Sequence, residues 1–465
     1  MKEIDVVIIG AGSAGLSARS EVSKITSSYV VIDGGKLGTT CARVGCMPSK
    51  VLIQIAEDFH RKAKFAEEGI ILDGTLSIDK VQAMKHVRKL RDRFVRGVMS
   101  GMDSWMKTNF ISGYAELIDA HTLKVNDEII KFKKLILGAG TTPNVPEIFK
   151  PYPDNIVTTD SFFEMESLPK SIAVIGLGVI GLELGQACSR LNVETIGVAR
   201  RKVLAGISDP QLSSYAVSKF SEMMNLSFDG IQSVEKDGSE LVITTGDKSV
   251  RVEKILVTAG RGLNLSRLNI ANIGLDNTKV PEFDVNSLSL KQHPHIFIAG
   301  DTTGDKQILH EASDEGKIAG YNAVNSRTVF KRRAPLMITF TDPNIAFCGM
   351  KYSELKSAQL PFEVGEVSFE GQGRSIVKLK EIGMLYIYGH KNSGKILGAE
   401  LMGPDAEHLA HLISWSIAQD LTVYDMLAMP FYHPVVEEGL RTALRSLRGK
   451  VDERPEVGPL EIPLQ

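Results

Sequence analysis

Two glycine fingerprints of the form GxGxxG constrain this chain more than any other feature. The first lies in VVIIGAGSAGLSA and consists of Gly10, Gly12 and Gly15. Apolar residues 4–9 predict a strand before it, residues 13–24 predict a helix after it, and a second predicted strand ends at Asp33. Such glycines allow a tight turn and close approach of a pyrophosphate, and the acid binds a ribose hydroxyl. This segment predicts a dinucleotide-binding unit.

The same pattern recurs in SIAVIGLGVIGLELGQA, as Gly176, Gly178 and Gly181, followed by a predicted strand over residues 194–199. Two units predict two bound dinucleotides, and the natural pairing is a flavin with a nicotinamide cofactor. Three further predicted strands, near residues 133–143, 254–262 and 295–301, run into glycine turns. These turns add the cofactor-binding candidates Gly140, Gly260 and Asp301, the last of which we expect to bind a polyol hydroxyl.

The segment TTCARVGCMPSK holds two of the four cysteines, Cys41 and Cys46. A structural zinc site usually needs four ligands, often as two close pairs. Cys188 and Cys348 stand alone in apolar surroundings, so we expect no metal site and favour a redox pair. Helical spacing from Pro48 onward places Cys46 at a helix N-terminus, where the helix dipole lowers a thiol pKa.

Length and charge exclude several other classes of protein. A chain of 465 residues is too long for one core and predicts several domains. The net charge of −2 gives no reason to expect nucleic acid or an anionic membrane as partner. No apolar run reaches the ~18 residues of a membrane span, and the N-terminus lacks a signal-peptide pattern, so we expect a cytoplasmic protein.

Taken together, the motifs resemble a known family along the whole chain. They are GxGxxG, CxxxxCxPSK, GxGxxGxE, AGR, AGD and a C-terminal HPxxEE, in that order. This combination resembles the class I pyridine nucleotide–disulfide oxidoreductases, and within them the dihydrolipoamide dehydrogenases. The resemblance implies an α/β fold with two Rossmann-like dinucleotide-binding domains and a C-terminal α+β interface domain. The implied ranges are 1–145 and 265–335 for FAD, 146–264 for NAD or NADP, and 336–465 for the interface that makes a homodimer.

The resemblance also implies roles for individual residues. Cys41 would be the thiol that attacks the substrate, and Cys46 would lie against the flavin and form the charge-transfer thiolate. Lys50, one helical turn beyond Cys46, would lie near the flavin and pair with Glu183 of the second fingerprint.

The base implied by the resemblance lies in FYHPVVEEGLRTALRSL. We expect a helix over residues 434–447, beginning at Pro434. Glu438 in its first turns would then point back at His433 and raise the basicity of the imidazole. In the family this histidine acts in the site of the other subunit.

Two positions depart from the family pattern. At the position where members that use NAD have an acid, this chain has Ala199, and Arg200 and Arg201 follow it. This arrangement favours NADP(H) as an accepted cofactor. Arg43 replaces the usual asparagine between the cysteines, so the immediate substrate environment differs.

The function implied is a dithiol/disulfide oxidoreductase acting on a lipoyl group or a small dithiol. Two alternatives stay open, an NADPH-dependent reductase resembling glutathione reductase and a redox sensor without enzymatic activity.

Overall fold

The computed structural model describes residues 2–461. Met1 and residues 462–465, which fall in the first and last predicted domains, lie outside the described residues. Among residues 2–461, no helix is long and apolar enough to cross a membrane. The same residues contain no group of three His, Cys, Asp or Glu side chains arranged to hold a metal ion.

The first region of the chain forms most of a large sheet with strand order β3-β2-β1-β6-β5-β4. The second half of strand β1, residues 6–9, is a continuous buried apolar run, as expected for a parallel strand covered on both faces. The strands are β1 (Lys2–Ile9), β2 (Tyr29–Asp33), β3 (Phe110–Ser112), β4 (Ala115–Asp119), β5 (Thr122–Val125), β6 (Glu128–Leu137) and β7 (Thr141–Pro143). The helices are α1 (Ser13–Val22), α2 (Thr40–Val44), α3 (Cys46–His60), α4 (Lys80–Ser100) and α5 (Asp103–Asn109).

The second region repeats the strand–helix–strand unit in a five-stranded sheet of order β11-β10-β9-β15-β8. A separate sheet of antiparallel strands, β12-β13-β14, lies beside it. The strands are β8 (Ile156–Val157), β9 (Ser171–Ile175), β10 (Glu194–Val198), β11 (Asn225–Ser227), β12 (Ser233–Asp237), β13 (Glu240–Thr245), β14 (Lys248–Val252), β15 (Lys254–Val257) and β16 (Arg261–Leu263). The helices are α6 (Thr159–Phe162), α7 (Val179–Arg190) and α8 (Pro210–Met223).

The chain then returns to the first sheet. Strand β17 (Ile296–Ile298) pairs in parallel with β6 as its seventh strand, and helix α9 (Leu309–Val324) packs on α1. Strands β7 and β16 pair with each other where the chain leaves and re-enters this sheet. The second region is thus an insertion between two segments that share one sheet.

The C-terminal region is an antiparallel sheet of order β18-β19-β22-β21-β20, covered by helices. Its strands are β18 (Leu336–Thr339), β19 (Asn344–Gly349), β20 (Phe362–Ser368), β21 (Met384–His390) and β22 (Ile396–Gly403). Its helices are α10 (Tyr352–Ser357), α11 (Gly373–Val377), α12 (Ala406–Ala418), α13 (Val423–Leu427) and α14 (Glu437–Arg448). The predicted fold class, with two Rossmann-like units and an α+β C-terminal part, is confirmed.

Two boundaries differ from the predictions in this region. Helix α14 begins at Glu437 and not at Pro434, because the Val435 N–H donates to the Glu438 carboxylate in a turn that precedes the helix. Residues 373–403, whose alternation of apolar and polar residues predicts antiparallel strands, are not strand throughout. The Gln372 side chain accepts from the Ser375 N–H and caps helix α11, so the strands begin only at Met384.

Candidate active site

Both glycine fingerprints have the same geometry. A Cβ at Gly15 would lie 1.8 Å from the Gly10 carbonyl oxygen, and one at Gly181 would lie 1.9 Å from that of Gly176. These glycines therefore allow each helix to approach its strand closely. By contrast, a Cβ added at Gly12 or Gly178 would meet no atom of the described part of the chain within 4 Å. Both glycines face open space in front of α1 and α7.

The space in front of α1 is a cavity of about 730 Å³. Its lining includes both cysteines of the predicted redox pair and, from more distant parts of the chain, Gly12, Gly140, Lys50, Glu183 and Asp301. Helix α1 has no side-chain N-cap, so its first backbone N–H groups are free to hold an anion. These features fit a long flavin dinucleotide with its pyrophosphate at α1 and its ring near the cysteines.

The predicted acids and turn glycines lie around this cavity or the second fingerprint. Asp33 accepts from the N–H groups of Ala11 and Gly35, each at 2.7 Å, and so joins the end of β2 to the glycine turn. Gly140 and Gly260 have φ of +67° and +97°, which favour glycine, and a Cβ there would also meet open space. Their roles in cofactor binding stay predictions.

The two cysteines come together where α2 meets α3. Cys46 is the first residue of α3, and Gly45 lies at the junction of the two helices. A Cβ added at Gly45 would lie only 3.3 Å from the Cys41 Cα. Glycine at this position therefore lets the two helices approach. Both thiols are free; Cys41 is half-buried and Cys46 is exposed towards the cavity.

The two thiols differ in acidity. The hydrogen bond from Cys41 lowers the pKa of Cys46. Partial desolvation by the walls of the cavity raises this pKa, and the charge of Lys50 lowers it again. The same hydrogen bond and burial raise the pKa of Cys41. The reduced pair therefore loses its first proton from Cys46, the cysteine at the helix N-terminus.

Lys50 and Glu183 form an ion pair across two regions of the chain. The Lys50 Nζ lies 2.8 and 3.0 Å from the two carboxylate oxygens of Glu183, a residue of α7 that is almost fully buried. Glu183 also accepts from the backbone N–H of Phe340 at 2.8 Å, and Lys50 lies 4.5 Å from the centre of the Phe340 ring. The structure thus brings together the two residues that the family resemblance implies should pair.

His433 and Glu438 form a dyad on the surface of the C-terminal region. The His433 Nδ1 lies 3.0 and 3.1 Å from the Glu438 carboxylate oxygens, and this contact lowers the pKa of Glu438. The imidazole is 80% exposed, so its Nε2 is free to meet another molecule. The Gln372 side chain donates to the Val435 carbonyl at 2.9 Å and holds the loop that carries the dyad.

Arg200 and Arg201 follow strand β10 of the second sheet, directly beyond Ala199. Both are exposed, and within residues 2–461 neither side chain has an ion-pair or hydrogen-bond partner. The Arg200 stem lies against Gly230, where a Cβ would be 3.4 Å from its Cγ. Two cations are therefore available beside the second fingerprint.

Sequence reasoning missed two residues of the site. Arg261 donates from Nε to the Thr141 hydroxyl at 2.7 Å and from Nη2 to its carbonyl at 2.8 Å. The Thr141 hydroxyl in turn donates to Asp301 at 2.9 Å. Arg261 is the arginine of the AGR motif, so the sequence could have indicated it. The contact of Thr141 with Arg261 depends on the pairing of β7 with β16, which the local sequence does not reveal.

Several known proteins are similar to this chain in sequence or in fold over nearly its whole length. The dihydrolipoyl dehydrogenase of Chlamydia pneumoniae is 29% identical over 450 residues, covering 94% of this chain and 95% of that protein. The mercuric reductase of Lysinibacillus sphaericus is 26% identical over 94% of this chain and 82% of its own length. The crystal structure of LpdA from Mycobacterium tuberculosis superimposes with a TM-score of 0.82 at 22% identity, over 96% of this chain and 99% of that one.

Family profiles account for most of the chain. The pyridine nucleotide-disulphide oxidoreductase profile matches residues 4–316, and the dimerisation-domain profile of the same family matches residues 336–444. The chain belongs to the pyridine nucleotide-disulphide oxidoreductase family, whose members use FAD and NAD(P).

Proposed function

We propose that this enzyme moves two electrons between a dithiol of the dihydrolipoamide type and a nicotinamide cofactor, through the Cys41–Cys46 pair and FAD. The observation that carries the proposal is the pairing of these two thiols, unequal in acidity, at a cavity that also contains Lys50 and Glu183. The choice of dithiol is supported by relatives named dihydrolipoyl dehydrogenase that match nearly the whole length of both chains.

The steps assigned to this chain are thiol–disulfide exchanges. With the cysteines oxidised, His433 takes a proton from the first substrate thiol, and the resulting thiolate attacks the sulfur of Cys41. The Cys41–Cys46 bond breaks and Cys46 leaves as a thiolate. The second substrate thiol then loses its proton to solvent and attacks the substrate sulfur of the mixed disulfide. The cyclic disulfide product is released, and Cys41 leaves as a thiolate that receives the proton from His433. The substrate has lost two electrons and the cysteine pair holds them. Gly10, Gly12 and Gly15 in front of α1 would hold FAD, which would supply a two-electron acceptor between Cys46 and NAD(P).

Lys50 and Glu183 act by position in this scheme. Lys50 supplies a positive charge one helical turn from Cys46, and Glu183 fixes the ammonium group at that place. We also propose that the fingerprint glycines, Asp33 and Asp301 bind the cofactors. The division of the chain into four segments is a further proposal. A cytoplasmic location, suited to the four free cysteines, is proposed as well.

The chain carries a dimerisation domain, and we propose that His433 acts in the site of the second subunit. In support, His433 is not among the residues that line the cavity of its own chain. Large apolar side chains are exposed on the same region, among them Trp415, Met429 and Tyr432, which suits a surface covered in a dimer.

Mixed dimers test this arrangement. Cys41→Ser and His433→Gln subunits are each expected to be inactive as homodimers. If His433 works across the interface, unfolding and refolding a 1:1 mixture should restore about a quarter of wild-type activity, since half of the dimers are mixed and each has one intact site. A mixture that stays inactive although mixed dimers form would contradict the arrangement.

A second candidate is a reductase that uses NADPH and a low-molecular-weight disulfide. The specific observation in its favour is Ala199 followed by Arg200 and Arg201, which are exposed and have no side-chain partner among the described residues. Steady-state rates with NAD⁺ and dihydrolipoamide, compared with rates with NADPH and glutathione disulfide, separate the two candidates. A dominant rate with the second pair would replace the proposed function by this one.

A further inference from the structure

Thr39 has a backbone conformation that suits glycine and not threonine. Its φ is +62° and its ψ is 149°, and such left-handed φ values are rare for a β-branched residue. Gly38, directly before it, also has a left-handed φ, of +107°, and a Cβ there would lie 2.7 Å from a methyl carbon of Val95 in α4. The chain therefore enters helix α2 through a turn that is held against α4, and the strain of this turn falls on Thr39.

The Thr39 side chain gives a reason for threonine at this position. Thr39 is the N-cap of α2, and its hydroxyl oxygen accepts from the Ala42 N–H at 3.2 Å. Its carbonyl oxygen accepts from the Arg43 N–H at 3.1 Å. A glycine would adopt the same φ without strain, but it would remove the hydroxyl that anchors the first turn of α2.

This first turn carries one cysteine of the redox pair. Cys41 is the second residue of α2, which has only five residues, and it lies inside the turn that the Thr39 cap closes. The other end of α2 is fixed at Gly45, where an added Cβ would lie 3.0 Å from the Thr40 carbonyl oxygen. The hydrogen bond from Cys41 to Cys46 therefore depends on a very short helix that is held at both of its ends.

We propose that Thr39 is a positioning residue of the redox pair, kept in a strained conformation because its hydroxyl holds Cys41 in contact with Cys46. The hydroxyl fixes the first turn of α2, and this turn fixes where the Cys41 sulfur lies when a substrate thiolate attacks it. Small displacements of reacting atoms lower reaction rates strongly, so a looser turn slows the exchange. The inference rests on the proposed function and adds a residue on which its thiol–disulfide exchange depends.

Three replacements separate the hydroxyl from the backbone strain. Thr39→Ser keeps the hydroxyl, Thr39→Val keeps the shape and the strain without the hydroxyl, and Thr39→Gly removes both. We expect kcat/KM for the dithiol to fall roughly 3- to 10-fold in Thr39→Val and Thr39→Gly, and to stay near the wild-type value in Thr39→Ser. The melting temperature should follow the backbone instead, so that Thr39→Gly is at least as stable as wild type although it is slower. A purely structural role would make rate and stability fall together.

Gln359→Gly is the matched control. Gln359 is exposed just after α10 in the C-terminal region and has a left-handed φ of +53°. Its replacement relieves the same kind of strain in another part of the chain, so it should not lower the melting temperature and should leave kcat/KM unchanged. A loss of rate in Thr39→Ser as large as that in Thr39→Gly would overturn the proposal, since the hydroxyl would then have no role.

The acidity of Cys46 gives a readout that needs no turnover. A looser α2 weakens the hydrogen bond from Cys41 that lowers the Cys46 pKa. A pH titration of thiolate absorbance in the two-electron-reduced holoenzyme should therefore give a higher Cys46 pKa in Thr39→Gly and Thr39→Val, and the wild-type value in Thr39→Ser. A Cys46 pKa that is unchanged in Thr39→Gly and Thr39→Val overturns the proposal, whether or not any dithiol is a substrate. A raised pKa in both variants, without dithiol turnover by wild type, instead supports the positioning role and rejects the proposed function.

Discussion

The acidity of Cys46 gives the sharpest test of the site, because Lys50 and Glu183 are expected to change it in opposite directions. The pKa of Cys46 is lowered to about 7, first by the hydrogen bond from Cys41 and then, against burial, by the charge of Lys50. Glu183 raises the pKa of the same thiol. Replacing Lys50 by methionine should therefore raise this pKa, and replacing Glu183 by glutamine should lower it.

The magnitude follows from the geometry of α3. Side chains four residues apart on a helix are about 6 Å apart, so at an effective dielectric constant of about 20 the Lys50 charge stabilises a Cys46 thiolate by about 3 kcal/mol, or about two pKa units. Glu183, at 2.8 Å from the Lys50 Nζ, cancels part of this effect. We expect a rise of about one unit in Lys50→Met and a smaller fall in Glu183→Gln.

A pH titration of thiolate absorbance in the two-electron-reduced protein measures these shifts. A pKa near 7 leaves about half of Cys46 ionised at neutral pH, and a rise of one unit leaves about a tenth. Cys41→Ala serves as a reference. It removes the hydrogen bond that lowers the Cys46 pKa most, so it should raise that pKa more than Lys50→Met does. A Lys50→Met titration that matches wild type, or shifts of the same sign in Lys50→Met and Glu183→Gln, would refute the electrostatic reasoning.

The other predictions concern the remaining parts of the site. Cys41→Ser and Cys46→Ser should each abolish dithiol turnover while flavin absorbance of the purified protein stays; near-normal turnover in either variant would contradict the assigned exchange. His433→Gln should lower kcat by roughly 10²–10⁴, the usual contribution of a general base, and Glu438→Gln by less, since the imidazole remains; equal rates for His433→Gln and wild type would exclude this base. Arg200→Ala should lower kcat/KM for NADP(H) by roughly 10- to 150-fold, as for loss of a charged hydrogen bond, with little change for NAD(H); equal losses for the two cofactors would exclude a role in binding the 2′-phosphate.

Local sequence predicted the parts of this protein that depend on short-range rules. The glycine of each tight turn, the helix after it and the acid at the end of β2 all lie within one strand–helix–strand unit, so spacing alone identifies them. The position of Cys46 at a helix N-terminus was predicted for the same reason, because Pro48 and the apolar spacing of α3 are neighbours in sequence.

Features that depend on distant contacts could not be predicted in this way. Phe340 completes the surroundings of Lys50 only because β18 ends beside α7. The start of α14 depends on a side-chain contact, from Glu438 back to the Val435 N–H, which a helical pattern beginning at Pro434 does not contain. The contacts that hold α4 in place depend on the second region of the chain, which supplies Glu164 for Arg91 and two carbonyl groups for Lys80 and Arg88.

These distant contacts make the redox pair sensitive to how the regions are packed. Glu183 comes from α7 of the inserted region, Lys50 from α3 of the first region, and the Phe340 N–H from the C-terminal region. A second buried carboxylate, Glu400 of β22, joins the inserted and C-terminal regions by accepting from the N–H groups of Ser208 and Tyr352 at 2.7 and 2.9 Å. A buried carboxylate that loses its partners strongly destabilises the folded protein. The contacts of Glu183 and of Glu400 therefore both oppose separation of these regions. The geometry that sets the acidity of Cys46 is therefore held by three parts of the chain at once, so a substitution at either buried acid should affect the redox pair as well as stability.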